Sequence, residues 1–265
     1  MLSKKNIKSL NAKNIVSKAI KKLEECSVAE DSYWFWEYAL QRSKTFEKQI
    51  ENCLNLKNIH FSKKPSLIDI GSAPFVLPIS LKLSNQFSKI TSVDINPYRY
   101  KNIEKTGLQI FKIDVDKPNK DLIKEEFDII YFSHIFEHLR INIIETMNFL
   151  KSILKNNGLI YVETPNSYSL KGLYNKIFRG ISTGCAGDLY EEWIKIDRLG
   201  HMGHVREYSL SELDTFFKKM GFEVVRKGYT GRYQSKSFKT ISISIFQTLF
   251  PRSQNNIYFI LKKLH

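Results

Sequence analysis

No apolar run in this chain is long enough to cross a bilayer, and the amino-terminal stretch MLSKKNIKSLNAKNIVSKAIKK intersperses lysines too regularly to form a secretory apolar core. A soluble, cytoplasmic protein with no transmembrane segment is the expectation. Cysteine is scarce: Cys26, Cys53 and Cys185 stand far apart, form no metal-type pair and need no disulfide framework, as suits a reduced compartment. Acidic residues are in deficit, 27 against 41 Lys and Arg, leaving a formal charge of +14 that admits nucleic acid, phosphorylated metabolites or acidic headgroups and names none of them. Repeats and low-complexity linkers are also missing, so 265 residues hold one α/β domain with decorations rather than two full domains. What is plentiful is core material: 42% of residues are hydrophobic and 13% aromatic, enough for one large core.

Residues 6–26 place Ile7, Leu10, Ile15, Ala19, Ile20 and Leu23 at helical spacing between lysines, an amphipathic helix. The next stretch, DSYWFWEYALQRSKTFEKQIENCL, packs five aromatics into residues 33–38 and continues as helix to about Leu54. From Ser66 the pattern changes. SLIDI, KITSVDI, LQIFKID, FDIIYFS and GLIYVETP read as strands, with helical LPISLKLSNQF and INIIETMNFLKSILKNN between some of them, which predicts parallel strands in a doubly wound sheet. Ligand then belongs at the carboxyl ends, where Asp69, Asp94, Asp114, Ser133 and Glu163 to Asn166 collect. Residues 166–203 are glycine-punctuated and mixed in charge, an inserted lid or substrate loop. Ser209 with Glu212 forms a capping box, Gly221 ends that helix, and FEVVRKG returns as strand. Residues 237–250 fit helix or strand, and NIYFILKKL reads as an edge strand.

The organising stretch is SLIDIGSAPFVLPISL. A buried parallel strand ends in an acid and a small-residue turn, where Gly71, Ser72 and Ala73 let a ligand approach the backbone as the next helix begins. Taken with SVDINP, FKIDVD, FDIIYFSHIFEHL, LKNNGLIYVETPN and HVREYSLSELDTFFKKMGFEVV in that order, LIDIGSAP resembles the class I S-adenosylmethionine-dependent methyltransferases, in particular the small-molecule and sugar O-methyltransferases. The resemblance implies a Rossmann-like, seven-stranded, mostly parallel α/β domain over residues 61–265, with a helical extension at 1–60 and the lid at about 166–203. It implies that Asp69 and the backbone of Gly71, Ser72 and Ala73 face the methionine end of S-adenosylmethionine. Asp94 would bind the ribose hydroxyls, Ile95 pack on adenine, Asp114 and the Val115 backbone read its edge, and Ser133 lie near the sulfur. Ala73 stands where the motif has a second glycine, and Phe75 where it has another small residue.

Histidines gather in SHIFEHL and HMGHVREYS. On a helix His134, Glu137 and His138 occupy i, i+3 and i+4 and project from one face, where they could meet one ion. The set is similar to the metal motif of the small-RNA 3′-end 2′-O-methyltransferases: His134 replaces the first glutamate, Glu137 and His138 match, and His204 aligns with the later histidine. Three nitrogens and a carboxylate suit manganese, iron or zinc better than magnesium. A metal site, a metal-free general base at His138 assisted by Glu137 and His204, and structural histidines all remain open; His201 has a structural reading, and Arg206 and Tyr208 could bind an anionic acceptor or serve as a helix-entry salt bridge and packing. The resemblance implies methylation of a small polar acceptor such as a sugar, nucleotide-sugar or phosphate-type group in surface polysaccharide synthesis. RNA 2′-O-methylation and a non-catalytic binding or membrane-surface module are the alternatives, and the dispersed lysines with no RNA-binding appendage weigh against nucleic acid.

Overall fold

β1 (Ser66–Ile70) is buried at all five positions, and it fixes its neighbours. It pairs in parallel with β2 (Lys89–Asp94), Ile70 opposite Val93, and β2 pairs in parallel with β3 (Gln109–Lys112), Asp94 opposite Lys112. The start of β1 is pinned to β4 (Phe127–Ser133): the Ser66 N–H and hydroxyl both donate to Asp128 Oδ2, at 2.8 and 2.7 Å. The computed structural model describes residues 12–26, 28, 33–181, 189–199, 203–232 and 238–264. It divides into two compact units, residues 1–114 with 119–131 and residues 115–118 with 132–265.

In the first unit, α1 (Ala12–Glu24) buries Val16, Ala19 and Leu23 and leaves Lys13, Lys18 and Lys21 exposed, as its spacing predicts; Ile7 and Leu10 lie outside the described residues. It packs on α3 (Ser43–His60) and on α4 (Val76–Ser84), the helix that follows β1. The aromatic-rich helix expected as one piece to about Leu54 is two, α2 (Tyr33–Gln41) and α3, joined at Arg42. The Arg42 guanidinium donates to the Tyr38 hydroxyl at 3.0 Å at this junction. α3 runs past Leu54 because Leu56 continues the buried face of Phe46, Ile50 and Cys53.

The second unit holds the antiparallel part of the sheet. β5 (Leu154–Pro165) pairs with β7 (Asn256–Lys263), and β7 pairs with β6 (Phe222–Thr230), each antiparallel. The strand order is β3-β2-β1-β4-β5-β7-β6, a seven-stranded mixed sheet of the α/β class. The expectation that NIYFILKKL is an edge strand is corrected. β7 is interior and buries Ile257, Phe259, Ile260 and Leu261, while the edge falls to β6, whose exposed Glu223, Arg226 and Lys227 protect it. α5 (Ile143–Ser152) stops short of the predicted KNN, because Leu154 is already strand and Asn157 takes a left-handed turn, φ 65°. Residues 166–203 carry α6 (Leu170–Arg179) and α7 (Leu189–Leu199), and the ambiguous 237–250 stretch is helix, α9 (Phe238–Leu249).

Before α9 comes α8 (Leu210–Lys219), which begins with the predicted capping box: Ser209 Oγ accepts from the Glu212 N–H, and the Glu212 carboxylate accepts from the Ser209 N–H at 2.8 Å. Ser209→Ala is expected to lower unfolding stability by about 1 kcal/mol in urea titration, with an unchanged m-value.

Candidate functional site

The candidate cofactor cradle of the first unit grows out of the β1 turn. Gly71 adopts φ 75°, a left-handed conformation that glycine takes at no steric cost, and the N–H groups of Gly71 and Ser72 both donate to the Val93 carbonyl, at 2.8 and 3.0 Å. Ser72 Oγ closes the turn on the Asp69 carbonyl at 2.8 Å. Asp94 then receives the Ala73 N–H on Oδ2 and the Asn96 N–H on Oδ1, both at 2.9 Å, with Arg99 Nη1 3.6 Å from Oδ1. Each oxygen keeps room for one more donor.

Both acids are buried. Burial pushes Asp69 up to about 7, eased by a hydrogen bond from Ser72 and raised further by the Asp94 charge. Burial also raises Asp94, against the Ala73 and Asn96 N–H groups and Arg99. Two carboxyls and turn N–H groups fit S-adenosylmethionine, which brings a diol to donate and a cationic sulfonium. Phe75 is accommodated by conformation: it sits at φ 64°, a region non-glycine residues rarely enter, and its fully buried ring meets Tyr100 edge-on at 6.1 Å. Ile95 and Asp114 are half-buried in the turns that follow β2 and β3. Arg99 and Tyr100 escaped the sequence reading, although both come shortly after SVDINP, beyond Tyr98.

In the second unit Val115 is half-buried and its carbonyl accepts from Thr146 Oγ1 at 2.7 Å. Asp116, which the sequence reading passed over, is buried and grips Arg140 through the backbone N–H, at 3.0 and 3.1 Å, and through Nε at 3.0 Å. Ser133 ends β4 with its hydroxyl buried and without a hydrogen-bond partner among the described residues.

The predicted helix over His134 to His138 is not formed. His134 takes φ 57° and donates its N–H to the Glu163 carbonyl at 2.7 Å; only Phe136–His138 coil, as one 3-10 turn before Leu139 extends. Phe136 anchors this turn, packing edge-on against Tyr208 at 5.2 Å and Phe217 at 5.8 Å. The turn still gathers the expected residues, by another geometry. Ligand atoms of Glu137, His138 and His204 lie within 4.8 Å of one another. His134, expected as a fourth ligand, stands outside that group: its Nδ1 is 3.3 Å from Glu137 Oε1.

Glu137 is 1% exposed; its Oε2 accepts from Thr164 Oγ1 at 2.9 Å and its carbonyl from the Val205 N–H at 2.8 Å. Burial alone would raise this acid, but the His134 hydrogen bond and the charges of His138, His134 and His204 outweigh it and hold it at about 2. His138 Nδ1 lies 2.9 Å from the Gly203 carbonyl, and since a carbonyl only accepts, Nδ1 carries the hydrogen and Nε2 the lone pair, 3.9 Å from Glu137 Oε1. Burial lowers the His138 pKa, against the pull of Glu137. Glycine is required at 203, where a Cβ would sit 2.1 Å from the Glu192 carbonyl oxygen. His204 meets His138 edge-on at 4.9 Å; burial lowers its pKa, but Glu207, 3.5 Å from Nδ1, with Glu137 and Glu192 raises it overall.

Thr164 falls within the Glu163 to Asn166 segment expected at the ligand end, whereas Glu192, Gly203 and Glu207 were missed by sequence reasoning; the spacing of Glu207 three residues after His204 was the available signal for that one. Arg206 pairs with Glu212 at 2.6 Å and lies over the Tyr208 ring, a helix-start role, and His201 falls outside the described residues.

Asp69 generates a pH prediction for the cofactor-free protein. Its folded pKa of about 7 exceeds the unfolded value near 4, so between about pH 4 and pH 7 the folded state holds a proton that the unfolded state has released. Stability therefore falls as pH rises through that window and levels off above it. Asp69→Asn is expected to remove this slope, gaining on the order of 3 kcal/mol at pH 8 and little at pH 4 in urea unfolding, while weakening cofactor binding.

Residues 38–227 match the model of the family described as a methyltransferase domain. No curated protein sequence matches the chain. Among solved structures it is similar to a SAM-dependent methyltransferase from Archaeoglobus fulgidus, with TM-score 0.54 and 19% identity over 85% of this chain and 99% of that one. The plantazolicin methyltransferase BpumL, in complex with SAH, aligns with TM-score 0.55 and 16% identity over 97% and 98% of the two chains. N-methyltransferase NodS from Bradyrhizobium japonicum WM9, with bound S-adenosyl-L-homocysteine, aligns with TM-score 0.50 and 13% identity over 96% and 100%. At these identities the likeness is one of fold, whereas the family match spans more than half of the sequence. The chain belongs to the methyltransferase domain family.

Proposed function

We propose that the protein is an S-adenosylmethionine-dependent O-methyltransferase whose acceptor is a small polar hydroxyl or phosphate-type compound, of the sugar or nucleotide-sugar kind used in surface polysaccharide synthesis. The observation that carries the choice of oxygen is the cluster of Glu137, His138 and His204, which joins a buried anion to an imidazole lone pair. An acceptor hydroxyl must lose its proton as it attacks the methyl carbon. The new C–O bond forms as the C–S bond breaks, the electron pair returns to sulfur, and the proton passes to His138 Nε2.

The other residues serve that transfer. Gly203 holds the His138 tautomer, Glu137 stabilises the imidazolium that forms, and Asp94 with the Gly71 to Ala73 turn holds the cofactor. The donor set of Glu137, His138 and His204 also fits a divalent cation, manganese, iron or zinc before magnesium, which when bound would lower the pKa of an acceptor hydroxyl. An RNA 2′-hydroxyl would meet the same chemistry, and steeply salt-dependent RNA binding would mark that case.

The test is transfer of labelled methyl from S-adenosylmethionine to a panel of sugars and nucleotide-sugars, with and without chelator. His138→Ala combined with His204→Ala is expected to reduce turnover roughly 10²- to 10⁴-fold while S-adenosylhomocysteine binding is kept. Loss of turnover on chelation, restored by manganese or zinc, assigns a metal role; insensitivity assigns His138 as a metal-free base. Full activity of the double variant would reject the cluster altogether.

A further inference from the structure

Helix α6 turns the carboxyl-terminal part of its apolar face outward. Its sequence LKGLYNKIFR sets Leu170, Leu173, Tyr174, Ile177 and Phe178 along one stripe at i, i+3, i+4, i+7 and i+8, the stripe that normally faces a core. The buried side is instead the small polar one, Gly172 and Asn175. Contact there is close, since a Cβ on Gly172 would fall 2.4 Å from the Ser167 carbonyl oxygen. Leu170 and Leu173 are half-buried, but the rest of the stripe is left in water: Tyr174 is exposed, Ile177 is 70% and Phe178 73% exposed. Lys171, Lys176 and Arg179 flank it, the helix contains no acidic residue, and Lys176 Nζ lies 4.3 Å over the exposed Tyr168 ring.

A second exposed apolar segment starts from the same place. Asn166, just ahead of α6, donates through Nδ2 to the carbonyls of Arg252 and Gln254, both at 2.8 Å, and so ties the α6 start to the residues that follow α9. There Leu249 and Phe250 are exposed, and α9 too carries no acidic residue. Single exposed apolar side chains are ordinary; two helix segments tied together, with aromatics outward and no acidic residue in either helix, are not.

The charge decides the occupant. A second copy of this chain would set these cations against themselves in a protein of formal charge +14, whereas an anionic bilayer complements them. Basic residues flanking a stripe of aromatic and aliphatic side chains are the composition of a helix lying in the membrane interface. No described helix is long and apolar enough to cross. We propose that α6, together with the carboxyl-terminal end of α9, docks the protein on an anionic lipid surface, with Ile177 and Phe178 inserted among the acyl chains and Lys171, Lys176 and Arg179 against the headgroups. The inference rests on these helices and not on the methyl-transfer reading.

The test is co-sedimentation of the full chain with vesicles of phosphatidylcholine alone or with about one third phosphatidylglycerol, which needs no cofactor. Binding is expected to the anionic vesicles only, weakened by salt. Ile177→Glu with Phe178→Glu should reduce the partition coefficient roughly tenfold or more with an unchanged thermal transition. Lys171→Glu with Arg179→Glu should weaken binding in the same direction. Wild-type protein that stays in the supernatant would overturn the proposal, as would a doubly substituted variant that binds undiminished. So would a wild-type dimer, seen by light scattering, that Ile177→Glu with Phe178→Glu makes monomeric, because that assigns the face to a second copy.

Discussion

The first unit depends on one buried carboxylate. Asp94 receives the Ala73 N–H from the turn after β1 and the Asn96 N–H from the turn after β2, so a single side chain sets the spacing of two strand ends. A carboxylate taken out of water is tolerated only when it is hydrogen-bonded or paired, and here backbone N–H groups and Arg99 meet that need. Asp69, buried close by, is less fully compensated, and its raised pKa records the difference. Two buried acids at one turn would suit a cation and hydroxyl donors, whose binding would recover the stability that burial costs.

The second unit repeats the logic with a different outcome. Glu137 is as buried as Asp94, yet it is surrounded by three imidazoles and a threonine hydroxyl, which keep it ionised. Its placement follows from packing: Phe136, locked among Tyr208 and Phe217, leaves the next two side chains no choice but to turn toward His204 and Gly203. Glu137 and His138 are thus positioned beside an aromatic core, and the Gly203 carbonyl fixes the His138 tautomer, as a general base or a metal ligand would need.

Much of this was legible in the sequence because the signals are local. Buried parallel strands such as SLIDI announce themselves as continuous apolar runs, and the Ser209–Glu212 capping box is a four-residue pattern whose hydrogen bonds form as written. What failed was non-local. The interior position of β7 depends on β6 pairing outside it, and nothing within NIYFILKKL encodes that. The break at Arg42, where the backbone leaves helical geometry at φ −101°, has no glycine or proline to announce it. His134 was read on a helical face because spacing alone cannot register a left-handed residue; the cluster survived because His138 and His204 are brought together by tertiary packing, whereas His134 became a partner of Glu137. Glu192 and Thr164 reach the cluster from α7 and β5, distances in sequence that no motif spans.

The account as a whole stands on the Asp94 cradle, and calorimetric titration of the folded protein with S-adenosylhomocysteine tests it most directly. One saturable site per chain is predicted, weakened roughly tenfold or more in Asp94→Asn, because the amide cannot accept from both backbone N–H groups and a ribose diol at once. An absence of binding heat from folded wild-type protein, or undiminished affinity in Asp94→Asn, would contradict it.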